Sequence, residues 1–110
     1  MTDWFARPVL HVSDVETSLR FYVERLGFTV PWRAGPDGRA DVAQVDRQGC
    51  ALILAEHWPA EAGKGLMFIS LNVEASGAGE EVAKVVVEDP DSNQLFFSYP
   101  GEPQNLRARL

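Results

Sequence analysis

The stretch "SDVETSLRFYVERLGF", Ser13 to Phe28, limits what this chain can fold into more than any other. It carries helical periodicity with both ends marked. Val15, Leu19, Tyr22, Val23 and Leu26 fall on one face at helical spacing. Ser13 and Glu16 have capping-box spacing, with Asp14 as the alternative cap. Gly27 stands where a left-handed exit is needed. Everything around this helix is short and β-rich. "RPVLHV" precedes it, and "FTVPW", "ADVAQVD" and "CALILA" come after it. Turn signals at Pro36-Asp37-Gly38 and Arg47-Gln48-Gly49 separate the last three. The first half therefore reads as a β-α-β-β-β module over residues 6–55.

The second half repeats this in outline and is shorter. Residues 56–65, "EHWPAEAGKG", carry Pro59 and two glycines and read as a linker. Module two spans residues 66–100: a strand in "LMFISLNVE", then a hairpin in "KVVVEDPDSNQLFFSYP". Only the eight residues Ala75 to Val82 separate them, against about 11 in an average helix. The expectation is an α+β domain over residues 1–110 whose second module lacks its helix. In the turn, Asp and Asn side chains bond nearby backbone, Pro90 fixes φ and Asn93 tolerates a left-handed conformation, so Asp89 and Asp91 are expected to be structural. From Pro103 the chain is a polar tail.

Composition closes off several functions. A length of 110 residues allows a single core. The net charge of −6 argues against nucleic acid as a partner, since phosphates need clustered Lys and Arg; it suits a cationic ligand. No run approaches the roughly 20 apolar residues of a membrane span. The N-terminus lacks the basic start and apolar run of a signal peptide. No membrane association is expected, and the expected location is cytoplasmic. Cys50, the single cysteine, cannot make an internal disulfide and reads as a small buried hydrophobe.

The pattern Asp14, Ser18, Phe21, Tyr22, Leu26, Gly27, Phe28, joined to D-P-D-x-N ahead of an apolar strand, resembles the vicinal oxygen chelate superfamily. That group includes glyoxalase I, extradiol dioxygenases, fosfomycin-resistance proteins and bleomycin-binding resistance proteins. The resemblance implies paired βαβββ modules that form a half-open curved sheet around a cavity, usually in a homodimer. In the metalloenzymes the cavity holds a divalent ion on His, Glu or Gln from four strands. The matching positions here are Arg7, Ile53, Phe68 and Phe96. Arg7 stays protonated, and the other three have no donor atom. No metal or other cofactor, and no catalytic residue, is therefore expected. The similarity is greatest to the bleomycin-binding members, which share the "PVL" start without a histidine ligand and an aromatic residue at the position of Trp32. In them a groove between two subunits holds a flat, cationic natural product.

Strand alternation places Arg7, Val9 and His11 on one face, Phe68, Ser70 and Asn72 on another, and Phe96 with Ser98. A ligand pocket and plain core filling both remain open for Phe68 and Phe96. Trp32, beside Pro31, and Trp58, beside Pro59, would leave apolar area exposed unless a ligand or partner chain stacks on them. Trp4 is expected to pack against the domain or its partner. His57 adjoins Glu56 and Trp58 and is a ligand-contact candidate, whereas a lone strand histidine such as His11 reads first as a hydrogen-bonded structural residue. The candidate binding set is Arg7, His11, Trp32, His57, Trp58, Phe68, Ser70, Asn72 and Phe96. The expected function is metal-free sequestration of an aromatic or cationic natural product such as an antibiotic. The alternatives are an enzyme of the same superfamily and a degenerate member with no ligand. The enzyme would use His11, Asp46, Glu56 and His57 as displaced ligands, or His11 alone in acid/base chemistry. Met67, Ile69, Leu71 and Val73 alternate as though one face is buried, so a partner chain is the expected cover and a homodimer the expected state.

Overall fold

The computed structural model describes residues 4–70 and 82–100, with side chains over 4–70 and 85–98. Among the described residues one helix and seven strands form two sheets. The first contains β1 (Val9–His11), β2 (Thr29–Ala34), β3 (Val42–Arg47) and β4 (Cys50–Ala55), in the order β1-β4-β3-β2. Helix α1 (Val15–Arg20) lies between β1 and β2 in sequence. The second sheet contains β5 (Leu66–Ser70), β6 (Val82–Glu88) and β7 (Gln94–Pro100), in the order β5-β7-β6. Strand β5 runs parallel to β7 as β1 does to β4, and every other pairing is antiparallel. The mixed α+β architecture is the one expected. The expected absence of a second helix, together with Leu71, Asn72, Val73 and the tail, lies outside the described residues. None of the described helices is long and apolar enough to cross a membrane.

Helix α1 starts at Asp14, whose backbone is extended, but the Ser13–Glu16 capping box does not form. Glu16 instead accepts the Ala40 N–H at 2.8 Å and pairs with Arg33. Ser13 N–H, which the box would have satisfied, is met from far along the chain by Asp91 Oδ1, and Val15 N–H by Glu56 Oε1, both at 3.1 Å. Satisfying the first helical turn from other elements ties it to them as well as capping it.

After Arg20 the helix widens into a π turn, Phe21–Arg25. Its exit is closed by Phe28 N–H to Tyr22 C=O at 3.0 Å, with Gly27 at φ +70°. The wider turn rotates the residues beyond Tyr22 relative to the first turns of the helix. Val23, expected on the core face, is 38% exposed, and Phe28 is buried in its place.

Alternation along the strands builds one core shared by both sheets. Ala43, Val45, Leu52 and Leu54 turn inward onto Val15, Leu19, Tyr22 and Leu26, and Ile69, Leu95 and Phe97 of the second sheet join the same cluster. Each such aliphatic or aromatic side chain contributes about 1.5–3 kcal/mol when fully buried. The intervening residues face away from this core.

The turn between β6 and β7 clasps the two sheets together. Buried Asp89 accepts the N–H groups of Asp91 and Asn93 through Oδ1, both at 2.9 Å. Its Oδ2 accepts the Tyr22 hydroxyl at 3.0 Å and Asn93 Nδ2 at 2.9 Å. Fully buried Asn93 accepts the Gly65 N–H at 2.7 Å and donates to the His11 carbonyl at 3.0 Å. A Cβ on Gly65 would stand 2.7 Å from both Asn93 Oδ1 and Leu10 Cδ2, so only glycine allows this approach. The structural role expected for Asp89 and Asp91 holds, with a reach far beyond the turn. The left-handed residue is Ser92, at φ +74°, and not Asn93; Asn93 is committed by its side chain to three partners.

Candidate functional site

The face of the first sheet that points away from the core is read from its register. Val9, Ile53, Gln44 and Trp32 form one row across β1, β4, β3 and β2, and His11, Ala55, Val42 and Ala34 form the next. Three strand spacings put the outer members of a row about 14 Å apart. Between them lie aliphatic Ile53 and Val42, Ala55 and the Gln44 amide.

At the β2 edge the indole of Trp32 is 42% exposed. Its Nε1–H donates to Gln44 Oε1 at 2.9 Å, and Gln44 Nε2 donates to Asp46 Oδ1 at 2.8 Å. Gln44 is only 7% exposed although it lies on the face away from the core. The pairing of β2 with β3 shifts between Thr29 and Trp32. Such a bulge re-aims the residues beside it, and Pro31 is tolerated there because β2 is an edge strand.

At the β1 edge the linker brings Trp58 onto His11. The rings meet edge to face with centroids 5.1 Å apart, and His57 approaches the same indole at 5.8 Å. His57 Nε2 lies 3.2 Å from Asp41 Oδ2, and Gly63 N–H donates to the His11 carbonyl at 3.3 Å. The expectation of a hydrogen-bonded His11 is corrected. Its Nδ1 is buried without a partner among the described residues, and the ring is positioned by the Trp58 contact.

The second sheet presents a different face. Phe68 and Phe96 are directly opposed in register, with nearly parallel rings (8°) and centroids 6.3 Å apart. Phe68 is 63% exposed, which overturns core filling for it; Leu66 and Val86 are exposed too. Ser98 Oγ donates to Ser70 Oγ at 3.3 Å beside the ring pair. Thus the structure groups His11, His57 and Trp58, groups Phe68, Ser70 and Phe96, and sets Trp32 at the far edge of the first sheet. Arg7 joins none of these; its guanidinium lies 5.7 Å from the Phe5 ring centroid in an exposed segment. Trp4 is 96% exposed, so within the chain it does not pack as expected. The sequence reading missed Gln44 altogether and considered Asp46 only as a metal donor. The alternation in "VAQVD" was the available signal for both.

The profile of the Glyoxalase/Bleomycin resistance protein/Dioxygenase superfamily matches residues 4–84. The chain belongs to that superfamily. Among solved structures it is similar to an antibiotic-binding protein from Streptomyces sp. CB03234, at 22% identity over 92% of this chain and 100% of that one, with a TM-score of 0.65. It is also similar to the bleomycin-binding protein of bleomycin-producing Streptomyces verticillus, solved with copper(II)-bleomycin: 24% identity, 93% and 100% coverage, TM-score 0.62. A third is the glyoxalase/bleomycin resistance protein from Catenulispora acidiphila DSM 44928: 20% identity, 90% and 100% coverage, TM-score 0.67. At these identities the likeness establishes the fold. No curated protein matches.

The metal of the superfamily's enzymes does not fit the residues present. Arg7, Ile53, Phe68 and Phe96 offer no lone-pair donor set. The displaced set is not assembled either. Glu56 is engaged by Val15 N–H and Arg39, His57 by Asp41, Asp46 by Gln44 and His11 by Trp58. Among the described residues no group of three His, Cys, Asp or Glu side chains is placed to hold an ion.

Electrostatics brace the flank of the first sheet. Arg39 reaches Asp14 at 2.7 Å and both oxygens of Glu56 at 3.0 Å. The Thr17 hydroxyl, and then Arg39, hold the Asp14 carboxyl below its ordinary range. Glu16 is lowered by the Ala40 N–H first and Arg33 second. Burial pushes the Cys50 thiol up, with Asp46 adding to the effect.

Proposed function

We propose that this protein is a metal-free small-molecule binder that sequesters a flat, cationic natural product of the antibiotic kind, as a cytoplasmic homodimer. One observation carries the reading: Trp32 is half exposed yet held by a hydrogen bond at the edge of the outward face of the first sheet. A held indole offers its ring at little further entropy cost, and a cation over it gains about 0.5–2 kcal/mol. His11, His57 and Trp58 bound the opposite side of that face. The net charge of −6 would speed encounter with a cation. Antibiotic-binding and bleomycin-binding proteins of the same fold support the ligand class. The exposed Leu66, Phe68 and Val86, with half-buried Phe96 among them, support the dimer, because a second copy laid on them would remove their apolar area from water. Ser70 would sit at the rim of that contact.

Tryptophan fluorescence tests the reading. Titration with metal-free bleomycin and with other planar cationic antibiotics should quench emission saturably. Trp32→Ala and Trp58→Ala should each weaken the best ligand roughly fivefold to thirtyfold. Unchanged affinity in both variants would move the site off this face. Elemental analysis supplies the second check: about one tightly held ion per chain, lost when His11 and His57 are replaced, would refute a metal-free binder.

A further inference from the structure

The geometry points to Gln44 and Asp46 as the pair that decides what the first sheet accepts. Gln44 positions the Trp32 indole and Asp46 supplies a negative charge beside it, so this face selects flat rings that bear a cation or an N–H donor. The inference rests on the ligand-binding reading above and names the residues that would give it selectivity.

The relay has a direction. Indole carries one donor, and in Trp32 it is spent on Gln44 Oε1. A ligand therefore meets Trp32 through the ring face, where stacking and cation–π attraction act. The Gln44 amide is fixed from both ends. Turning it over would set its NH2 against the indole N–H and its oxygen against the Asp46 carboxylate, so the chemistry of the two neighbours assigns the amide. Nearly complete burial of Gln44 makes that loss expensive, because an unpaired buried amide keeps its full desolvation cost.

The relay ends on a charge. A carboxylate accepts at about four lone-pair positions, of which the Gln44 amide takes one. The arginines nearest Trp32 in sequence are directed elsewhere. Arg33 pairs with Glu16, and Arg39 with Asp14 and Glu56, all at the helix and the start of the linker. Asp46 lies two residues along β3 from Gln44, on the same face. A ligand stacked on Trp32 would thus meet a carboxylate at one side and aliphatic Ile53 and Val42 across the floor. That combination favours a positively charged ring system over a neutral one of the same shape.

Two measurements on the intact protein test the pair. The first tracks the Trp32 Nε1–H in 1H–15N spectra, assigned with Trp32→Phe, with exposed Trp4 as the internal reference. The Trp32 proton should exchange with water much more slowly than that of Trp4, and Gln44→Leu should bring the two rates together. If Gln44→Leu fails to fold, Asp46→Ala, which frees the amide to turn, should lower the protection. Equal rates for Trp32 and Trp4 in the native protein would overturn the positioning. The second compares proflavine, a planar tricyclic cation, with neutral acridone. The native protein should prefer proflavine, and Asp46→Asn should cut the preference about tenfold. The same variant keeps an acceptor for Gln44 and should leave the indole protection intact. An unchanged preference would overturn this inference alone and leave the ligand site standing. Binding of neither probe, with the indole protected, would count against the ligand-binding reading and the selectivity together.

Discussion

The outward faces of the two sheets obey the same alternation and end up chemically different. On the first, polar side chains orient one another: Trp32 on Gln44, Gln44 on Asp46. On the second, Phe68 lies parallel to Phe96 with Leu66 and Val86 beside them, Gln94 and Glu88 share the row of Leu66, and the Ser70–Ser98 contact lies on the other side of the ring pair. Area alone is non-directional, whereas a hydrogen-bonded relay fixes angles. Under the function proposed above, the first face would discriminate among ligands and the second would be covered.

The largest expected effect breaks the comparison, because it removes what holds the sheets to each other. Asn93→Ala leaves the half-buried Gly65 N–H without its partner, leaves the His11 carbonyl with only the Gly63 N–H, and strips one donor from Asp89. A stranded amide costs about 1–3 kcal/mol, and with the weakened Asp89 and His11 contacts a loss of roughly 2–3 kcal/mol is expected in urea unfolding. A loss below about 1 kcal/mol would mean that the clasp is redundant.

The next effect sharpens the difference between the faces. Phe68→Ser with Phe96→Ser should shift a dimer towards monomer in light scattering at micromolar concentration. Because Phe68 is already exposed, this should cost the isolated chain much less than Asn93→Ala does. A wild-type protein that scatters as a clean 12.2 kDa monomer would remove the reason for an apolar second face.

Much of this arrangement was legible in the sequence, and the omissions share a cause. The helix could be placed from Val15, Leu19, Tyr22 and Leu26, because period is a local property. The π turn could not, since it depends on Phe28 docking in the core, and so Val23 was misplaced. The Asp89–Asn93 turn announced itself through local chemistry. Its clasp did not, because Tyr22 and His11 lie 67 and 82 residues from their partners in it. Trp32 stood out by its type alone. Gln44 became meaningful only once a bulged antiparallel register set it opposite Trp32. The capping box failed for a similar reason: Arg33 from β2 and Ala40 from the loop before β3 compete for Glu16, which sequence spacing does not reveal.

Acid should separate the two faces most gently. The ionic bracing of Asp14 and Glu16 belongs to the flank of the first sheet, and neither acid touches the Phe68–Phe96 face. Thr17 and Arg39 lower Asp14 from its ordinary value of 3.8, and the Ala40 N–H and Arg33 lower Glu16 from 4.5. A carboxyl whose folded pKa is depressed binds protons more readily when unfolded. Its stabilisation is fully present above the unfolded value and is lost as pH falls through the folded one. Stability from Glu16 should therefore begin to fall below about pH 4.5, and that from Asp14 below about pH 3.8. Both groups are largely solvated, so the drop should be small. Melting curves from pH 6 to roughly pH 3 should show it as a shallow acid limb, shallower still in Asp14→Asn with Glu16→Gln. In Phe68→Ser the limb should keep the wild-type slope, because no carboxyl of the bracing is altered. A limb that flattened in the phenylalanine variant and persisted in the carboxyl variant would place the acid-sensitive contacts on the second face, and reverse the contrast drawn between the two sheets.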